Sequence, residues 1–259
     1  MTRGVPSRIE PSVLYVNSLT WMVSMLLCPV PEAVKAVFLK RRNRFVGEVL
    51  LPWGVATAHV PDPGRLKELL FPGNPVLVIP RREPVGKTSC TLLAAERRGS
   101  WILTNTTFHS RIAEEIIRRG LVGPLPAIVR REATIPGYSS RFDFLLDGGL
   151  VLEVKGCTLA AESLALFPDA PTSRGAGQVR ELARYAGAGG SGMVLFLVTV
   201  PWARAITVNR ATDPAFGEAV DSAQVAGVMI RAAVVALEEA GVVFRKMIPF
   251  QSRANGTST

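Results

Sequence analysis

The chain is poor in several residue types, and each scarcity excludes something. It has only three cysteines, Cys28, Cys90 and Cys157, in 259 residues, and none sits in a CxxC spacing. A disulfide framework and a cysteine-built zinc site are therefore excluded, and scattered thiols point to a reducing compartment, the cytoplasm. Two histidines, His59 and His109, are too few for a multi-histidine metal centre. Aromatic residues make up 7% of the chain, which leaves little material for an aromatic base-stacking platform. Acidic residues are also short: 21 against 30 lysines and arginines, a net charge of +9. A globular enzyme has no folding reason to be that basic, so a polyanionic partner or a bound phosphate is implied. There is no internal repeat and no low-complexity tract.

One apolar run stands out, Val13 to Val30. Its length is near that of a signal peptide or a weak membrane span. Asn17, Ser18, Thr20 and Ser24 dilute it, and no small-residue cleavage site follows. Residues 1–33 are therefore expected to form a poorly ordered N-terminal extension, with no membrane partner.

The texture changes at Val34. Residues 37–51 alternate like one long half-buried strand, residues 53–60 read as a second, and residues 65–70 read as a short helix. Three more apolar segments follow by residue 105. Five strands and one helix in this space predict an OB-like small β-barrel over 34–105. Residues 106–259 predict an α/β domain with a central mixed sheet. Residues 108–119 form its first amphipathic helix, 192–200 an apolar strand covered on both faces, 213–241 one or two helices, and 242–250 a last strand. Basic residues cluster in both parts. Arg41, Arg42, Arg44 and Arg65 of the barrel, with Arg141 and Arg174, are candidate nucleic-acid contacts, DNA foremost and RNA left open.

The informative stretch is RFDFLLDGGLVLEVKG, residues 141–156. It reads as two strands around a three-residue DGG loop. Side chains alternate faces, so Leu146 opposite Leu150 places Asp143 opposite Glu153 and Arg141 opposite Lys155. Two carboxylates directly opposed on neighbouring strands repel each other and require a cation between them. Arg141 and Lys155 could supply it as an ion-pair network. Alternatively, Asp143 and Glu153 could hold a divalent metal, Mg²⁺ or Mn²⁺, with Lys155 turned to a phosphate or a metal-bound water. On the first helix, Glu115 is placed at the edge of the apolar stripe facing the site and Glu114 away from it. Arg174 and Gln178 lie four apart and share a helix face, suited to gripping a phosphate.

An acid on the first helix followed by D-x(n)-E-x-K across a hairpin resembles the PD-(D/E)xK nuclease-like superfamily. The surrounding text narrows the resemblance. AHVPDPGRL, TNTTFHSRIAEEII, SRFDFLL, LEVKGCTL and ALFPDAPTSRGAGQVREL are similar, in order, to the motifs of the sugar fermentation stimulation protein family, SfsA, over residues 34–250. The resemblance implies an OB-like domain, a restriction-endonuclease-like domain and DNA binding. It assigns Glu115, Asp143, Glu153 and Lys155 to the acid, acid, acid and lysine positions. Gln178 stands where the family often has histidine; it can orient a phosphate or water but cannot titrate near neutral pH. Asp62-Pro63-Gly64 replaces an Asn-Thr-Gly common in relatives, and His59 beside it reads as structural. Two functions follow as expectations: a Mg²⁺-dependent phosphodiesterase, or a non-catalytic DNA-binding regulator of sugar-utilisation genes.

Overall fold

A computed structural model describes residues 25–252 apart from Lys87, so most of the N-terminal apolar run lies outside the described residues. Strand β1 (Leu26–Cys28) precedes the barrel in sequence but pairs with the C-terminal part of the chain. The barrel is built from β2 (Val34–Asn43), β3 (Val46–Leu51), β4 (Gly54–His59), β5 (Pro75–Val85) and β6 (Thr88–Arg97). The order β4-β3-β2-β5-β6 closes through β4 on β6, with β7 (Ser100–Leu103) added beside β6. A five-stranded closed barrel is the predicted OB-like architecture.

Two local readings of this barrel need correction. Residues 37–51 are a hairpin rather than one strand. The Asn43 side chain accepts the Phe45 N–H at 2.9 Å and turns the chain, as asparagine does in a turn. Residues 65–70 are no helix: Leu66 has φ of +49°, and the Leu69 and Leu70 N–H groups both fold back to its carbonyl. His59 sits in the ladder opposite Val46 and beside Thr91, a structural position.

The second domain opens with α1 (His109–Arg118), followed by β8 (Ile128–Thr134), β9 (Arg141–Leu146) and β10 (Leu150–Cys157). After two short strands, β11 (Ala160–Ala161) and β12 (Leu164–Phe167), come α2 (Ser173–Gly187), β13 (Ser191–Val198) and β14 (Ala205–Val208). The chain ends with α3 (Pro214–Val225), β15 (Met229–Glu238), β16 (Gly241–Met247) and β17 (Phe250–Gln251). The main sheet runs β1-β16-β15-β13-β10-β9-β8, parallel among β10, β13 and β15 and antiparallel elsewhere. A small sheet, β11-β12-β14-β17, flanks it and was not foreseen from sequence.

Each face of the main sheet has its own core. Val151, Val194 and Phe196 pack with α2 and α3. Leu152, Leu195 and Ala233 pack with α1 on the other face. That second core also takes in Leu93, Ala94 and Leu103 of the barrel, so the two domains share buried apolar surface. The stretch 213–241 yields one helix and then β15, whose alternation is lost because both of its faces are covered. All three cysteines are free and buried.

Candidate active site and domain cleft

The hairpin register is the one the face rule requires: Val151 pairs with Leu145 and Leu152 with Phe144. Continued by one residue, it sets Asp143 opposite Glu153. The ladder pairs stop short of that point, and Asp143 takes over a backbone bond. Its Oδ2 accepts the Val154 N–H at 2.6 Å. Glu153 is 3% exposed, and Lys155 beside it is 8% exposed. Lys155 Nζ donates to Glu153 Oε1 at 2.6 Å and to Gln178 Oε1 at 2.9 Å. Gln178 Nε2 donates in turn to the Arg141 carbonyl at 3.3 Å, so α2 and β9 are tied through this one amide.

The electrostatics of the pair are incomplete. Burial pushes the Glu153 carboxyl up to about 7, against the pull of Lys155 and with a further push from Asp143. Burial also raises the Asp143 carboxyl, opposed by the Val154 N–H and Lys155. Glu153 Oε2 is enclosed and has no hydrogen-bond partner. One lysine therefore satisfies one of the two carboxylates on one oxygen. Arg141, the other candidate counter-ion, pairs with Glu132 at 2.8 Å instead. Among the described residues no three His, Cys, Asp or Glu side chains converge, so a cage made wholly of protein ligands is absent. Two carboxylates with solvent completing the shell suit an ion of the Mg²⁺ type.

Glu115 is not brought to this cluster. Helix α1 packs on the sheet face that carries Leu152, while Glu153 and Lys155 point to the α2 face. Glu115 pairs with Arg119 at 2.9 Å. Glu114 is the buried acid, held by Arg118 at 2.9 Å and by Arg131 of β8. At 100° per residue, the two acids flank the Ile112–Ile117 stripe at about 130° on either side, so helical spacing alone could not decide between them. The position of β8 decides.

The candidate nucleic-acid contacts also divide. Arg41 is spent internally. Its guanidinium donates to the carbonyls of Gly64 (2.8 Å), Arg65 (2.7 Å), Arg44 (2.6 Å), Asp62 (3.2 Å) and Asn43 (3.3 Å). Five N–H donors meet five carbonyls, which leaves none for a phosphate. Arg42 is held by Glu48 at 2.5 Å. Arg44 donates to the Pro63 carbonyl at 3.0 Å and lies over the Phe45 ring. Arg65 and Arg174 are exposed and their side chains make no hydrogen bond or ion pair among the described residues, although the Arg174 charge is felt by Asp143.

Between the domains lies a cleft of about 490 Å³, and Lys155, Arg174, Arg44 and His109 are among the residues that line it. Sequence reasoning gave His109 no role. Its ring rests on Gly156: a Cβ there would stand 2.7 Å from Nδ1, 2.8 Å from Nε2 and closer still to Cε1. Burial lowers its pKa to about 4, so the ring is neutral near pH 7. The signal was in the text, as a glycine directly after the lysine of the hairpin, but its partner lies 47 residues upstream. Gly156→Ala should destabilise the protein by about 1–3 kcal/mol through overpacking. Urea unfolding checks this, and His109→Ala in the same chain should recover part of the loss. A second close approach fixes the cleft wall. Asp169 accepts the Leu66 N–H at 3.0 Å across the domain boundary, and its oxygens lie 2.5 and 2.6 Å from where a Gly64 Cβ would be.

An OB barrel joined to a restriction-endonuclease-like domain, with an acid-acid-lysine hairpin at the edge of their cleft, defines a nuclease-fold protein. The comparisons with known proteins agree. The family model described as "Sugar fermentation stimulation protein RE domain" matches residues 107–241, and "SfsA N-terminal OB domain" matches 39–104. The chain belongs to the sugar fermentation stimulation protein family. It is 40% identical to the homologue of Methanothermobacter thermautotrophicus, over 81% of this chain and 87% of that one. It is 34% identical to the homologue of Desulforamulus reducens, over 91% and 99%. The solved structure of Pyrococcus furiosus SfsA in complex with Ca²⁺ superposes with a TM-score of 0.80 at 30% identity, covering 88% of this chain and 99% of that one. No helix among the described residues is long and apolar enough to cross a membrane.

Proposed function

We propose that this protein is a divalent-metal-dependent phosphodiesterase acting on nucleic acid, DNA foremost, in the cytoplasm. The observation that carries the reading is Glu153 Oε2, enclosed and without a partner beside the Asp143 carboxylate. A carboxylate pair with one lysine bonded to one of its members retains an excess of negative charge that a cation would offset. Asp143 and Glu153 would hold Mg²⁺ or Mn²⁺. The Ca²⁺ in the Pyrococcus furiosus relative supports a divalent ion in this family. When bound, such an ion lowers the pKa of water and offsets charge on a phosphate.

The chain's own groups do the rest. Lys155 lines the cleft and would offer its ammonium to the phosphate once a metal ion takes over Glu153. Gln178 holds that ammonium in place by its carbonyl oxygen, a positioning role that needs no titration. Arg174, Arg44 and Arg65 supply phosphate contacts outside the site. Glu115 and Arg41 have no part in it. A second reading, a DNA-binding regulator without turnover, is favoured by one fact: in the metal-free chain Lys155 Nζ is already engaged by Glu153 and Gln178.

The test is incubation of single-stranded and duplex DNA and RNA with the protein and Mg²⁺ or Mn²⁺, with binding titrated against salt in parallel. Cleavage that chelation stops is expected. Affinity should fall by about 10³-fold or more between 50 and 200 mM salt if six or more phosphates are contacted. Binding without cleavage under every metal would leave the regulator reading. Binding indifferent to salt would sink both.

A further inference from the structure

The inter-domain cleft is lined by charged groups of both signs. At one end stands the N-terminus of α2, a fifteen-residue helix. Thr172 Oγ1 caps it by accepting the Gly175 N–H at 3.1 Å. The N–H groups of Ser173 and Arg174, in the first turn, have no acceptor within the helix, and the helix dipole adds positive charge there. The Arg174 side chain stands at this end, and Lys155 rises from the adjacent strand. The Thr172 N–H is taken by Asp213 at 2.7 Å and the Lys155 ammonium by Glu153 and Gln178, so the anion-binding groups of this end are the first-turn N–H groups and Arg174, with Lys155 behind them.

Two carboxylates also line the cleft, Asp62 from the barrel and Asp169 from the loop that leads into α2, and both are turned into the barrel loop: Asp62 accepts the Gly64 N–H at 2.6 Å and Asp169 the Leu66 N–H at 3.0 Å. Their remaining lone pairs can accept from N–H or O–H groups but repel a phosphate. Arg44 closes the rim. His109 lies in the cleft lining as a neutral ring whose Nε2 is enclosed without a partner. The volume, about 490 Å³, is that of a pocket for one small molecule. A duplex, whose major groove alone is about 12 Å wide, does not fit in it.

We propose that this cleft is a subsite for a single nucleotide of a nucleic-acid strand, its phosphate at the N-terminus of α2 beside Arg174 and Lys155, and its sugar and base toward the Asp62–Asp169 wall. The inference deepens the phosphodiesterase reading, since the phosphate so placed adjoins Lys155. It makes an unpaired nucleotide the unit that the site recognises. The nucleotide can come from a strand end or from a base swung out of a duplex; the cleft recognises the same chemistry in both.

The test uses the full chain in EDTA, with binding read by fluorescence anisotropy on three probes. These are a single-stranded dT10, a duplex dumbbell closed at both ends, and the same dumbbell with one unpaired thymidine. Ser173→Trp places a bulky side chain in the cleft mouth. It should weaken dT10 binding by about 10-fold or more, the effect expected from losing one or two charge-assisted hydrogen bonds, and leave the closed dumbbell unchanged. Sensitivity of the unpaired-thymidine probe to Ser173→Trp assigns an extruded base; insensitivity there, with dT10 affected, assigns a strand end. Equal effects on all three probes, or no effect on dT10, would overturn the subsite. Arg174→Ala guards against a fold defect in the tryptophan variant. Thymidine 5′-monophosphate should compete with dT10 on the wild type and lose that competition on Arg174→Ala; unchanged competition would also overturn the proposal. No metal or turnover enters these measurements. Absence of cleavage would therefore sink the phosphodiesterase reading and leave the subsite standing, and the reverse holds as well.

Discussion

Asp143→Asn should leave the metal-free protein as stable as the wild type or more stable, and should abolish its stabilisation by Mg²⁺ or Mn²⁺. Asp143 makes no ion pair among the described residues: Arg141 is committed to Glu132, Lys155 and Arg174 act on it only at a distance, and the hydrogen bond made by its carboxylate is with the Val154 N–H. An asparagine oxygen can accept that same bond. What the substitution removes is a charge that raises the Glu153 pKa and is itself penalised by burial. Relief of that strain is expected to raise the melting temperature by up to about 4 °C, near 1 kcal/mol for a chain of this size. Wild type at a metal concentration 100 times Kd should gain about 2.7 kcal/mol. The gain depends on pH with a definite sign. Glu153 titrates at about 7 in the fold against an ordinary 4.5, so its proton stabilises the metal-free protein. That contribution is complete below about pH 4.5 and is lost as the pH rises through 7. The ion needs the deprotonated form, so metal stabilisation should grow from pH 6 to pH 8. Thermal melts with and without metal at those two pH values provide the measurement. A loss of about 3–5 kcal/mol in metal-free Asp143→Asn, with a wild type that ignores every divalent ion, would show that the pair is a structural ion network.

What could be read before the fold was known follows the reach of each signal. The hairpin register was legible because two short-range rules agree on it: a DGG loop of fixed length and strict alternation of faces. The closed barrel and the doubly covered β13 were legible for similar reasons of spacing and apolar content. The errors lie where a neighbour from elsewhere in the chain decides. Glu114 and Glu115 are equivalent on a helical wheel, and Arg131 breaks the tie. Arg41 looks like a phosphate ligand until the loop at Asp62–Arg65 folds under it. Residues 229–238 lose the strand period because no solvent face remains to mark it. His109 was invisible for a different reason. Its environment is a missing side chain, that of Gly156, and a lone histidine at a helix start carries no pattern of its own.

Lys155→Met should produce a protein whose instability depends on pH, that still binds metal, and that does not cleave. Methionine keeps much of the aliphatic stem and removes the ammonium. Glu153 then loses its close counter-charge, and with it the pull that now holds its carboxyl down to about 7. Its pKa must rise further. At pH 6 the carboxyl is protonated in either protein, and the variant loses only two hydrogen bonds, about 1–3 kcal/mol. At pH 9 the wild type carries a paired carboxylate. The variant must either ionise it unpaired or retain a proton against the solvent, and the deficit should approach about 3–5 kcal/mol. The stability gap should therefore widen as the pH rises, which a general packing defect would not cause. A divalent ion supplies the missing positive charge directly, so Mg²⁺ should stabilise Lys155→Met at pH 9 by more than it stabilises the wild type. Cleavage should fall by about 10²-fold or more, because the ammonium that would meet the phosphate is gone. Urea unfolding at pH 6 and 9, with and without Mg²⁺, reads the first two effects, and the DNA cleavage assay reads the third. A gap that stays constant with pH would mean that Glu153 does not depend on Lys155 for its charge. Full cleavage by the variant would remove Lys155 from the chemistry.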